Sequence, residues 1–421
     1  MSFFQNIFFQ FYYHQNEKFI NQILSLYNYH QLRVKKLKIN IKNSENNVLK
    51  APENLKPIYT SIVNLDKNPI DPYLIINNRD WSSNQKILET IFKDKKSLSQ
   101  KQKALTLLKY VAKYISHDRP PFKKNYNNPV NNPVNLFNLY GYSYCGQITA
   151  CFAKLCQLAK LKVRVIEIPH HTVTEVFFNN SWHMLDPDFN IYFQENNKII
   201  SLKDLYLNQK FLKQLNNKKL KYNKNCFLKA FRAKTQFNKL KDLDKLIFQN
   251  SPSQLDFKLP PKSELRFFTN LQIKHYWKDY QHSDYGNHGP SNFTNGFLIS
   301  PIKSTLYKVK LPFPILASYI FLPKKHNLKI IKFQRNKNKF KSIKIRRLID
   351  LINLEHKFPI GPKSLPTYNY SLKIKKIQSS PIIITLFQLS KNAVPYLSLK
   401  KNSIKSVIKK PNLKVIFTYS K

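Results

Sequence analysis

Apolar positions recur at helical spacing in the second hundred residues of the chain and give way to alternation further on. The pattern predicts a helix from Trp81 through Phe92, with Ser82 or Ser83 as its cap. Ser97-Leu98-Ser99-Gln100 has capping-box spacing ahead of a second helix. The apolar face of that helix is Ala104, Leu107, Leu108, Val111 and Ile115. Prolines 120, 121, 129 and 133, set among asparagines, predict an irregular loop over 119–139 that delivers the chain to Gly141-Tyr142-Ser143-Tyr144-Cys145-Gly146-Gln147. After Cys145, a third stripe of Ile148, Cys151, Phe152, Leu155 and Cys156 predicts a helix ending near Leu158. Val163 to Ile168, His171 to Phe178 and Trp182 to Leu185 read as three strands, the last two joined by a tight turn at Asn179-Asn180-Ser181.

The flanks are patterned differently. Residues 1–75 read as an N-terminal extension, helix-like from Phe3 to Leu26 and irregular afterwards, with prolines at 52, 57, 69 and 72. Residues 76–200 form the expected central α+β domain around the cysteine turn, and the Lys- and Leu-rich residues 201–250 a helical connector. Residues 251–421 form a β-rich domain of short strands, among them Tyr307 to Leu311, Ile382 to Phe387 and Val415 to Tyr419, for which a sandwich or barrel is expected. The stretch from His275 to Gly296 holds three of the chain's six glycines and reads as an ordered interdomain loop of carbohydrate-binding composition.

Charge changes this picture little. The formal charge is +48 and the pI about 10.0, which favours loose attraction to polyanions. Only nine of the 71 basic residues are arginine, however, and lysine is spread along the whole length. Dedicated nucleic-acid binding expects a clustered basic patch with stacking aromatics, so that class is disfavoured. The cysteines at 145, 151, 156 and 226 form no Cys-x-x-Cys pair and read as free thiols, with Cys151 and Cys156 in the core. The N-terminus has no basic signal-peptide region, and no uncharged apolar run approaches the roughly 20 residues that span a bilayer. A cytoplasmic protein is the expectation.

The candidate chemistry lies at Cys145, His171 and Asp186: nucleophile, base and orienter in chain order. A thiol at the start of a helix is favoured as thiolate by the N-terminal dipole. Gly146 lets a substrate carbonyl approach closely, and Tyr144, Gln147 and Trp182 belong to the expected cleft. Glu175 sits two positions further along the face of His171 and reads as its supporting group. A hairpin register between 171:186 and 171:188 would set His171 beside Asp186. Zinc on Cys145, His171 and Asp186 lacks a fourth ligand, so neither metal nor cofactor is expected.

With those residues in place, the segment from about Trp81 to Phe193 resembles the transglutaminase-like superfamily. The resemblance rests on the Cys turn Gly141 to Gln147, the helix Ile148 to Ala159, the strand Leu161 to Arg164, the His-x-x-x-Glu-Val strand from His171 and the Trp-x-x-x-Asp strand from Trp182. It implies an α+β, papain-like fold with the Cys helix packed on a small antiparallel sheet, and it implies the same three roles for Cys145, His171 and Asp186. It further implies acyl transfer at an amide bond through a Cys145 thioester. The acyl group passes either to water, in a hydrolase or peptidase, or to an amine, in an acyltransferase. The expected substrate is a protein or peptide, with a glycan-linked one also allowed. Lys160 stands where the family ends its helix with glycine, Val173 stands where it commonly has an aromatic, and Tyr110 and Tyr144 are the candidates for a side-chain oxyanion donor. The competing reading is a non-enzymatic module of the same fold that binds peptide or glycan.

Overall fold

A computed structural model describes residues 34–41, 47–95, 97–118, 132–169, 171–217, 228, 231, 241–242, 255–271, 292–302, 305–321, 330–335, 341–344, 351–353, 367–374, 382–406 and 412–420. The expected helix over Phe3 to Leu26, most of the 201–250 connector, and the part of the His275 to Gly296 loop up to Ser291, with the glycines at 286 and 289, lie outside them.

The helices around the cysteine follow their apolar stripes. Asn84–Phe92 is capped by the Ser83 hydroxyl, which accepts from the Lys86 N–H. Gln100–Tyr114 starts at a capping box made by Ser99 and Gln102, two residues later than the spacing at Ser97 suggested. That box supplies two of the N–H partners the first turn lacks. Cys145–Leu158 buries Ile148, Cys151, Phe152, Leu155 and Cys156. Its end is a Schellman turn: the Lys160 N–H donates to Gln157 O and the Leu161 N–H to Cys156 O, both at 2.9 Å, with Lys160 at φ 60°.

The loop expected over 119–139 is helical in its last part. Pro133–Asn135, capped by Asn132, runs into a wide turn at Leu136–Tyr140 and ends at Gly141. Pro133 sits in the first turn, where its missing N–H costs nothing, so proline here starts a helix instead of preventing one.

The Cys helix packs on a four-stranded antiparallel sheet ordered Lys241–Asp242, Lys162–Ile168, His171–Phe178, Ser181–Leu185. The Thr149 hydroxyl on the helix donates to the Thr172 carbonyl at 3.0 Å, fixing helix to strand beside the site.

Asn47–Lys50, Lys401–Ser406 and Leu74–Ile76 form a separate three-stranded sheet, while most of the remaining strands build an eleven-stranded one. Its order is Val34–Ile41, Leu413–Ser420, Pro57–Asn64, Glu264–Phe268, Phe293–Pro301, Ile382–Ser390, Leu306–Phe321, Thr367–Ile374, Ile330–Arg335, Lys341–Lys344, with Leu351–Asn353 also on Leu306–Phe321. The N-terminal residues are thus not only an irregular extension. Val34–Ile41 and Pro57–Asn64 flank Leu413–Ser420 and complete the sheet. Pro57 is tolerated because it opens its strand. One apolar cluster joins Leu107 and Phe152 of the helical part to Ile62, Phe387 and Phe417 of the large sheet. The chain is α+β, with its helices gathered around the cysteine. Among the described residues no helix is long and apolar enough to cross a membrane.

Candidate active site

Cys145 is the first residue of its helix and is half-buried, so its thiol lies at the positive end of the helix dipole. The turn ahead of it is held from outside. Gly141 takes φ 63°, and a Cβ there would lie 2.8 Å from Ser390 Oγ and 3.0 Å from the Ala393 nitrogen. Only glycine combines that conformation with that approach. The large sheet therefore braces the cysteine turn.

His171 opens the third of the four strands of the small sheet. Its neighbour strand pairs with it from Thr174↔Leu185 to Phe178↔Ser181, and the chain then leaves the ladder at Asp186, which bridges to Ile191. His171 Nε2 donates to Asp186 Oδ2 at 2.7 Å, both side chains buried. The other oxygen, Asp186 Oδ1, accepts from the Asp188 and Phe189 N–H groups at 2.9 and 3.0 Å, so one carboxylate orients the imidazole and shapes its own turn. Phe189 stands edge-on to the imidazole at 5.3 Å. With Nε2 committed to Asp186, Nδ1 is the nitrogen left for the thiol, and Cys145 and His171 are hydrogen-bonded.

Burial works to raise the thiol pKa, but the hydrogen bond and charge of His171 outweigh it and leave Cys145 below the ordinary thiol value. Burial works to lower the pKa of His171, yet the charge and hydrogen bond of Asp186, together with Cys145, hold it well above the usual imidazole value. Each shift favours a thiolate–imidazolium pair.

The site contains a second pair that the sequence does not announce. His117 Nδ1 and Asp188 Oδ2 are 2.6 Å apart and fully buried. Asp188 also joins Cys145 and His171 in a group whose ligand-capable atoms all lie within 4.8 Å of one another. A closed tetrahedral metal site takes four ligands. Among the described residues this group has three members, and each is already engaged in the acid–base arrangement. The only sequence signal for Asp188 is its place two residues after Asp186. His117, 28 residues before Cys145, gives none.

The other expected residues divide. Tyr144 precedes the helix and lies 5.8 Å, ring to ring, from His117. Gly146 and Gln147 occupy the first helical turn. A Cβ at Gly146 would meet nothing nearer than Thr172 Oγ1 at 3.8 Å, so its smoothness serves no internal packing. Glu175 does not support His171. It accepts from Arg164 Nε at 2.9 Å and Nη2 at 2.5 Å, and from the Leu202 N–H at 2.7 Å. Same-face residues four apart on a strand are about 13 Å distant, too far for contact. Trp182 likewise pairs with Phe177 at the far end of the hairpin, under the Arg164 guanidinium at 4.3 Å, and does not line the cleft. Tyr110 accepts from Trp81 Nε1 at 2.9 Å and packs in an aromatic cluster with Tyr114 and Phe137. His183 is a packing residue, stacked on Phe178 at 3.8 Å and bonded to backbone carbonyls.

No curated protein matches the chain. Residues 86–187 match the model of the transglutaminase-like superfamily, and the cysteine helix, the histidine strand and Asp186 all fall inside that match.

Proposed function

We propose that this protein is a thiol-dependent acyl-transfer enzyme in which Cys145 is the nucleophile, His171 the base and acid, and Asp186 the orienter. The observation that carries the reading is the relay from thiol to imidazole to carboxylate, closed by the 2.7 Å His171–Asp186 bond in a buried setting. The Cys145 thiolate attacks an amide carbonyl, a C–S bond forms, and the carbonyl π electrons move to oxygen. First-turn N–H groups of the Cys helix are suited to that oxyanion. Collapse breaks the C–N bond, and the departing nitrogen takes the proton held by His171. Water or an amine then attacks the thioester, with His171 accepting its proton. A protein or peptide amide is the substrate class we infer, and the family match over 86–187 supports it. A papain-like arrangement of the core and a sandwich-like folding of the long sheet complete the reading.

The test is alkylation of Cys145 by iodoacetamide from pH 4 to 9, located by mass spectrometry, in wild type and His171→Ala. Labelling that persists below about pH 7 and disappears in the variant supports an activated thiolate. Labelling that rises only near pH 8.5 in both proteins would falsify it.

A further inference from the structure

A buried carboxylate beside a nucleophilic thiol needs a reason. Asp188 lies within 4.8 Å of the reacting groups of Cys145 and His171, and a carboxylate so near opposes thiolate formation. Its backbone N–H is tied to Asp186 Oδ1 at 2.9 Å, and its side chain is buried.

The structure places His117 against it with several independent anchors. Ser116–His117 pairs in parallel with Tyr142–Ser143, setting His117 opposite Ser143, two residues before the thiol. The Ser116 N–H donates to Gly141 O at 3.0 Å and the Asp118 N–H to Ser143 O at 2.9 Å. Asn392, from the large sheet's side, donates to Ser116 Oγ at 3.0 Å. Besides burying the Tyr142 ring edge-on against Phe293, this two-residue ladder fixes the position of His117.

We propose that His117 is a positioning residue of the active site: paired with Asp188, it cancels the carboxylate charge that would otherwise suppress the Cys145 thiolate. The proposal rests on Cys145 being the nucleophile. The titratable groups around the thiol are His171, backed by Asp186 on the small-sheet side, and His117 with Asp188 on the other; buried Asp118 follows His117, and the Tyr144 ring adjoins it. Within the thiol and its two His–Asp pairs, two cations, His171 and His117, face three anions in the active form, the thiolate, Asp186 and Asp188. Without His117 one cation faces three anions. Burial works to lower the pKa of His117, but the charge and hydrogen bond of Asp188 outweigh it and keep it raised, as a standing cation requires.

The test measures the pH midpoint of Cys145 alkylation by iodoacetamide in the full chain, for wild type, His117→Gln, Asp188→Asn and the double variant. Removing the cation alone raises the midpoint by about 1–2 units. Removing the anion alone does not raise it. Removing both returns it to within about half a unit of wild type. A midpoint unmoved by His117→Gln, or a double variant displaced as far as that single one, overturns the proposal, because damage to packing is not repaired by a second substitution. Should His117→Gln fail to fold by circular dichroism, Asp188→Asn decides alone: a raised midpoint is the wrong sign for loss of an anion and overturns it. A wild-type thiol with an ordinary midpoint would count against the catalytic reading, whereas the order of the variants is read from differences and stands apart from it.

Discussion

Ser390 donates a hydrogen bond to the Gly141 carbonyl at 3.2 Å, across 249 residues of sequence, and so ties the turn ahead of Cys145 to the large sheet. Gly141→Ala must place a Cβ 2.9 Å from Ser390 Cβ at φ 63°. The left-handed conformation costs about 1–2 kcal/mol and overpacking about 1–3 more. Urea unfolding should therefore find the variant less stable by roughly 2–5 kcal/mol, and Ser390→Ala by about 1 kcal/mol. Equal midpoints for Gly141→Ala and wild type would mean that the close approach does not exist in solution.

Acyl transfer should follow a bell-shaped pH profile. Activity rises as pH climbs through the lowered Cys145 pKa, because the thiolate forms, and falls as pH passes the raised His171 pKa, because the imidazolium that protonates the leaving group is lost. Asp186→Asn removes the charge that raises His171, so the falling limb moves to lower pH. With His171 then less charged, the rising limb moves up. Steady-state rates should show the narrowed bell and a loss at its peak of roughly 10²–10⁴-fold. A falling limb that stays put would separate Asp186 from the catalytic relay.

Glu175 holds Arg164 and the Leu202 N–H rather than His171. Glu175→Gln should cost about 2–3 kcal/mol in chemical denaturation, a figure reduced from that of a fully buried pair because Arg164 is 38% exposed. The pH midpoint of Cys145 alkylation should not move. A shifted midpoint would return Glu175 to the site.

Lys160 closes the Cys helix at φ 60°, a conformation that glycine adopts without a Cβ penalty. Lys160→Gly should stabilise the folded chain by about 0.5–1 kcal/mol, the strain relieved exceeding the added freedom of the unfolded chain. A lower thermal midpoint in the glycine variant would contradict the Schellman geometry.

Local patterning carried the middle of the chain. The stripe from Ile148 to Cys156, the strand His171–Phe178 and the turn at Asn179-Asn180 are legible because their spacing repeats within a few residues. Cys145, His171 and Asp186 were legible because they sit at the ends of those elements. Continued past Thr174↔Leu185, the ladder would set 188 opposite 171, at one edge of the expected register. His117 and Asp188 escaped because their meeting depends on a two-residue parallel ladder and a turn around Asp186 Oδ1, neither of which has a sequence period. Shared face makes Glu175 read as a support for His171, and the family-like motif places Trp182 in the cleft; distance along the strand and the pull of Arg164 decide otherwise for both.

Strand Pro57–Asn64 lies between Leu413–Ser420 and Glu264–Phe268, so its edges are filled by partners made some two hundred and some three hundred and fifty residues later. During synthesis the helices and small sheet around Cys145 emerge long before Ser390 and Leu413–Ser420 can reach them. The thiol's surroundings can form early, but the brace behind Gly141 arrives only near the end of translation. Contacts of such separation in sequence fold slowly. A ribosome stalled before residue 390 would therefore carry a reactive cysteine on an unsupported turn, and assembly of the site is a late event in the life of the chain.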